Sequence, residues 1–234
     1  MTGYLDTTIR PPDGKSYHAH VRRDVFHLLP TKCERVLEIG MGAGGTMAAL
    51  KHVRQVLFSA GVELDARAAV DARSTADEVL QGDVTQMNFP GHWAEFDVIL
   101  CLDVLEHLVD PWQMIHRLHA LLKPNGVIVA SLPNVNYFRV ALPLLLRGQW
   151  ELQDAGVLDR THLRFFVKKT AIELMTCSGL VLQVIESGGI APNSRRWWGI
   201  KLSGGLLERF LAPQYLIRVG QQTGASTGFR DGGV

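Results

Sequence analysis

The chain has 234 residues, 47% of them hydrophobic and 20% charged, with 24 Lys and Arg against 23 Asp and Glu. That length sustains one large domain with its own core, and the apolar content excludes a disordered chain. A net charge of +1 sets up no field to gather nucleic acid, so no nucleic-acid partner is expected.

Residues 1–12 show no basic-then-apolar signal pattern. The span 17–29 reads as an amphipathic helix that would cover one end of a cleft. Apolar runs follow at 36–39, 56–62, 78–80, 96–102, 126–132 and 181–185, and segments of helical character at 43–53, 66–76 and 112–122 separate the earlier ones. Near-continuous apolar strands alternating with helices specify a parallel sheet covered on both faces, and right-handed crossovers make it a doubly wound α/β fold. Asp110-Pro111 opens the third of these helices as N-cap and first residue, and Lys123-Pro124-Asn125-Gly126 closes it in a tight turn. Asp65 stands where it would cap the helix before it.

No repeat, low-complexity tract or linker divides the chain, so 1–234 reads as a single domain. Two stretches, 133–166 and 188–213, are too long for plain connections and are expected to build lids or acceptor-side insertions. The second carries Arg195-Arg196-Trp197-Trp198 and a helical stretch over 202–211. The densest apolar run, 140–146, is interrupted by Pro143 and far too short to cross a bilayer. Cys33, Cys101 and Cys177 are widely spaced with no CxxC, which suggests buried free thiols and neither a disulfide framework nor a zinc site. A cytoplasmic protein is the expectation.

The strongest chemical signal is Val36-Leu37-Glu38-Ile39-Gly40-Met41-Gly42-Ala43-Gly44-Gly45, a buried strand entering a helix through a glycine-rich turn that lets a ligand approach the backbone. About twenty residues later, in Gly61-Val62-Glu63-Leu64-Asp65, a strand ends on a carboxylate that can accept from both hydroxyls of a ribose. Glu63 is the choice, since Asp65 falls at the helix cap. Gln81-Gly82-Asp83-Val84 offers an acceptor for an adenine amino group and an apolar side chain for its ring. The segment Phe96-Asp97-Val98-Ile99-Leu100-Cys101-Leu102-Asp103-Val104-Leu105-Glu106-His107-Leu108 completes the series.

In this order and spacing the series resembles class I S-adenosylmethionine-dependent methyltransferases, over roughly 17–166. The motif Leu158-Asp159-Arg160-Thr161-His162-Leu163-Arg164-Phe165-Phe166 is similar to one in the ubiquinone-biosynthesis-like group and in bacterial enzymes associated with sugars or surface polysaccharides. The resemblance implies a mostly parallel, seven-stranded, Rossmann-like sheet with 181–185 and 214–220 as strands six and seven, the last antiparallel. It also implies that S-adenosylmethionine is the cofactor and S-adenosylhomocysteine its product. Gly40, Met41 and Gly42 would back the methionine part, Glu38 would orient the turn or meet the amino group, Glu63 with Leu64 would hold the ribose end, Asp83 and Val84 the adenine, and Leu102 the cleft floor.

Methyl transfer from a sulfonium asks mainly for alignment and exclusion of water. A general base is needed where the acceptor loses a proton, and the candidates are His107 and His162, with Asp159 as orienter. Glu106 reads as a structural helix-start carboxylate. No dedicated metal is expected. The expected acceptor is a hydroxyl on a small molecule, a sugar, a lipid-linked glycan or a quinone-like ring. Two rivals stand beside this reading: a non-catalytic partner subunit that keeps the fold, and a nicotinamide-dependent oxidoreductase. The second lacks a Tyr-x-x-x-Lys pair, Tyr137 having Ala141 four residues on. Arg195-Arg196-Trp197-Trp198 could meet a membrane interface peripherally, and the aromatic C-terminal region could bury a homodimer face.

Overall fold

The computed structural model describes residues 21–221. One seven-stranded sheet organises the chain, in the order β3-β2-β1-β4-β5-β7-β6. Its strands are β1 (Arg35–Ile39), β2 (Phe58–Glu63), β3 (Glu78–Gln81), β4 (Phe96–Leu102), β5 (Leu122–Pro133), β6 (Val181–Gly188) and β7 (Gln214–Gly220). The first five are mutually parallel, and β7 runs antiparallel between β5 and β6. The doubly wound, mostly parallel expectation therefore holds, antiparallel last strand included.

Every residue of β4 is buried, as a central parallel strand covered on both faces requires. Alternate side chains divide between two cores. Leu37, Ile39, Ile99, Cys101, Ile128 and Ala130 face one side, where α3 (Pro111–His119) and α5 (Lys168–Thr176) contribute Met114, Ile115, Leu118, Leu174 and Met175. Val36, Val98, Leu100, Val127 and Val129 face the other, against Met47 and Leu50 of α1 (Gly45–Val53) and Ala72 of α2 (Ala66–Ala72). The one charged side chain within β4, Asp97, accepts from the Arg35 N–H at 2.8 Å and pairs with Lys123, so its burial is compensated.

Local chemistry acts largely as expected. Asp65 caps α2 by accepting from Arg67 and Ala68 N–H, and Asp110 caps α3 through Gln113 N–H with Pro111 at the first position. Three expectations are corrected. The N-terminal helix is a short 3-10 helix, Arg23–Leu28, that inserts Val25 and Leu28 into the core, and residues 17–20 of the expected span lie outside the described residues. Lys123 to Gly126 do not separate a helix from a strand: they form an outpocketing within β5, with Asn125 at φ 68, where pairing jumps from Phe96–Leu122 to Val98–Val127. The stretch 202–211 is not one helix. The preceding α6 (Arg195–Leu202) already contains the Arg-Arg-Trp-Trp cluster, and Gly204 and Gly205, both at positive φ, separate it from the single turn α7 (Glu208–Leu211).

Both insertions emerge at the carboxyl end of the parallel strands. One follows Pro133 and contains α4 (Phe138–Arg147); the other joins Gly188 of β6 to Gln214 of β7, which pairs with Pro133. The buried Asn134 ties them together, donating to the carbonyls of Arg209 (2.9 Å) and Ala212 (2.8 Å). Among the described residues no helix is long and apolar enough to cross a membrane. Cys33 and Cys101 are buried free thiols as expected; Cys177 is free but only partly covered.

Candidate active site

The glycine turn leaves β1 at the carboxyl end of the sheet, where ligands of open α/β folds bind. Gly40, Gly42 and Gly44 all have positive φ, and a Cβ on Gly40 would collide with the side chain of Val104. The amides of Gly40 and Met41 both turn towards the Val62 carbonyl at 2.8 and 3.2 Å, locking β1 to β2 as the chain reverses. The Met41 side chain is buried and packs where a Cβ on Gly61 would stand, so only its backbone belongs to the turn.

Glu63 ends β2 and is built into that turn: its carboxylate accepts from Gly42 N–H at 2.7 Å and Asp65 N–H at 2.8 Å. Glu38 lies beside it, 3% exposed, with one carboxyl oxygen (Oε2) that has no hydrogen-bond partner. Burial and the neighbouring charge of Glu63 push the Glu38 carboxyl up to about 8, with Arg22 opposing. Asp83 is exposed on the adjacent loop, where one of its oxygens accepts from Thr85 N–H and hydroxyl, while Val84 is buried. Leu64 is 63% exposed at the end of β2, and Leu102, buried, closes β4.

Sequence reasoning missed Arg22. This buried guanidinium pairs with Asp24 at 3.0 Å and with Asp103, and donates to Ser131 Oγ at 3.1 Å, while its own amide donates to Thr46 of α1 at 3.2 Å. It thereby latches the N-terminal 3-10 helix over the ends of β4 and β5. An isolated arginine 18 residues before Gly40 carries no motif; only the fold brings it to the strand ends.

A second group lies just past β4. The 3-10 turn Leu105–His107 presents Glu106 and His107, and the segment around Thr161 folds back on it through Leu163 and Arg164 amides that donate to the Glu106 carbonyl at 2.8 and 3.0 Å. Asp159 was expected to orient a histidine, and the one it reaches is His107, through Thr161. The Thr161 hydroxyl donates to Asp159 Oδ1 at 2.6 Å, so its oxygen accepts from His107 Nδ1 at 3.1 Å; the Thr161 carbonyl is a further acceptor at 3.3 Å. With two acceptors on Nδ1, the proton is assigned there and the lone pair to Nε2.

His162 stacks edge-on against His107 at 4.8 Å between ring centres, and its Nδ1 donates to the Val157 carbonyl at 3.1 Å. Burial first, and then the neighbouring His107 ring, hold its pKa below the ordinary histidine value. Its side chain is only 6% exposed, with Nε2 3.9 Å from Glu106 Oε1. Glu106 is not the helix-start cap expected of it: neither carboxyl oxygen has a hydrogen-bond partner, and burial raises its pKa well above the ordinary range. Ligand atoms of Glu106, His107 and His162 lie within 4.8 Å of one another, a convergence that their sequence spacing conceals.

The protonated Glu38 makes stability depend on pH in a defined direction. Its folded pKa of about 8 exceeds the ordinary 4.5, so its contribution is full below about pH 4.5 and is lost as pH rises through about 8. In thermal melts of the ligand-free chain, Glu38→Gln should remove part of the decline across that window. An identical pH slope in wild type and variant would contradict the protonated assignment.

With this geometry in hand, comparison with known proteins is direct. The model of a family described as a methyltransferase domain matches residues 15–184. The chain is similar to a ubiquinone biosynthesis O-methyltransferase of Azoarcus sp. (strain BH72), 29% identical over 166 residues that cover 65% of this chain and 70% of that one. The same enzyme of Azotobacter vinelandii is 32% identical over 114 residues, 44% and 46% of the two chains. The chain thus spans about half the length of several curated relatives it matches. Solved structures of S-adenosylmethionine dependent methyltransferases from Mesorhizobium loti (84% of this chain, 95% of that one) and Archaeoglobus fulgidus (85% and 90%) each give a TM-score of 0.58 at 16% identity, a likeness of fold.

Proposed function

The chain belongs to the class I S-adenosylmethionine-dependent methyltransferase family, and we propose that it methylates a hydroxyl of a small-molecule, sugar or lipid-linked glycan acceptor. The observation that carries this reading is the hydrogen-bonded series Asp159–Thr161–His107. It leaves an imidazole lone pair on Nε2 at the same strand ends as the glycine turn. A hydroxyl must lose its proton on methylation, and this lone pair can take it.

The residues of the turn fit the cofactor. The unpartnered, buried oxygen of Glu38 would accept from the ammonium of its methionyl part. Glu63, already oriented by Gly42 and Asp65 amides, would accept from ribose hydroxyls. Leu64 would flank the ribose, Asp83 and Val84 would hold the adenine, and Leu102 would underlie the cleft. When bound, S-adenosylmethionine supplies a methyl group on a sulfonium centre. The chain's own work is to align the acceptor, exclude water and remove its proton at His107 Nε2. His162, anchored by Val157, packs the base in place. Free thiols at Cys33, Cys101 and Cys177 support a reducing compartment such as the cytoplasm.

Calorimetric titration with S-adenosylmethionine, S-adenosylhomocysteine and NAD tests the cofactor assignment. Binding of both adenosyl ligands at about micromolar affinity, with none for NAD, is expected. Silence from both adenosyl ligands would favour the non-catalytic subunit, and binding of NAD alone the oxidoreductase.

A further inference from the structure

We propose that α4, α6 and α7 together form a docking surface for an anionic phospholipid bilayer. The proposal rests on the surface itself and is independent of the methyl-transfer reading.

A surface helix ordinarily turns its apolar stripe inward. In α4 the inward side chain is Val140, and the outward stripe at i, i+3 and i+4 is Leu142, Leu145 and Leu146, the last two 79% and 73% exposed. Helices α6 and α7 bury no side chain fully, while Leu202 at the end of α6 and Leu206 before α7 are 82% and 79% exposed. The three elements adjoin, α7 packing against both α4 and α6. An uncovered apolar area contributed by adjoining helices marks a docking surface more than a scatter of single exposed leucines.

Charge selects the occupant. These helices carry Arg139, Arg147, Arg195, Arg196, Lys201 and Arg209 against one acid, Glu208, which is already held by Lys168 at 2.6 Å and Ser187 at 2.9 Å. In a chain of net charge +1, these three helices thus carry six cations against one engaged acid. A two-fold dimer through this patch would bring like charges face to face. Leucines flanked by arginines instead match an interface with an apolar interior and anionic headgroups. The single Arg-Arg-Trp-Trp cluster is too narrow a description: Arg196 is engaged by the Tyr137 hydroxyl and Gly189 carbonyl, and Trp197 stacks under Lys201. Leu145, Leu146, Leu202 and Leu206 are more exposed than Trp198 of that cluster. Both insertions leave the carboxyl end of the sheet, so docking there sets the candidate site near the bilayer.

The test is flotation of the full chain, without cofactor, with vesicles of phosphatidylcholine alone and with a minority of phosphatidylglycerol. Wild type should float with the anionic vesicles and far less with the zwitterionic ones. Leu145→Glu combined with Leu146→Glu should weaken partition by tenfold or more, and so should Leu202→Glu combined with Leu206→Glu. Arg139→Gln and Arg147→Gln should each weaken it about fivefold. All these side chains are exposed, so unchanged melting temperatures accompany the expected result. No flotation with anionic vesicles, or flotation indifferent to the leucine pairs, overturns the proposal. So does a dimer in light scattering that the leucine pairs convert to monomer without any vesicle binding, which would give the face to a second copy.

Discussion

His107→Ala is expected to lower turnover by about a hundred- to ten-thousand-fold while leaving cofactor affinity unchanged. The magnitude is that of removing a positioned general base. The unchanged affinity follows from position, because His107 hydrogen-bonds to Thr161 and none of the turn residues. Two companions separate catalysis from packing. Thr161→Val keeps the shape but removes one of the two oxygens that hold Nδ1, and Asp159→Asn keeps the volume but replaces the carboxylate that orients Thr161. Both should lower kcat less than His107→Ala and shift the acidic limb of the pH profile, which a merely structural role would not do. His162→Ala should lower turnover with cofactor affinity intact, since its ring braces His107. If His107→Ala retained full turnover and an unaltered pH profile, proton removal by this group would be excluded.

Glu63→Ala should weaken binding of S-adenosylmethionine and S-adenosylhomocysteine by about a hundredfold or more. Two effects add. Charge-assisted hydrogen bonds are worth about 1.5–3 kcal/mol each, so losing the ribose acceptor alone approaches that figure. The same carboxylate orients the Gly42 and Asp65 amides, so its removal also loosens the turn that must meet the ligand. Glu63→Gln keeps a carbonyl acceptor and should fall between. Calorimetry reads the affinities, and circular dichroism checks that the sheet persists. Affinity within threefold of wild type in a folded Glu63→Ala would remove Glu63 from the site.

How much was legible depended on the range of the interactions involved. The strands of the doubly wound sheet were readable because a parallel strand buried on both faces must be apolar nearly throughout. The caps at Asp65 and Asp110 were readable because a cap is decided within four residues. The broken helix at 202–211 was harder: its apolar residues suit a helix, and the break lies in two glycines whose positive φ only the packed insertion reveals.

The sequence by itself determined the sheet, the glycine turn and its pairing with an acid on the next strand, since periodicity and local chemistry suffice for each. Only the tertiary structure decided that Asp159 reaches His107 through Thr161, that Arg22 closes the strand ends, that Glu106 is buried without a hydrogen-bond partner for its carboxyl, and that the leucines of α4 face outward. The contacts of Arg22 with Asp103 and Ser131, and of His107 with Thr161, join residues 54 to 109 positions apart. No local pattern encodes such pairings, because contact between distant side chains is settled by how whole elements stack.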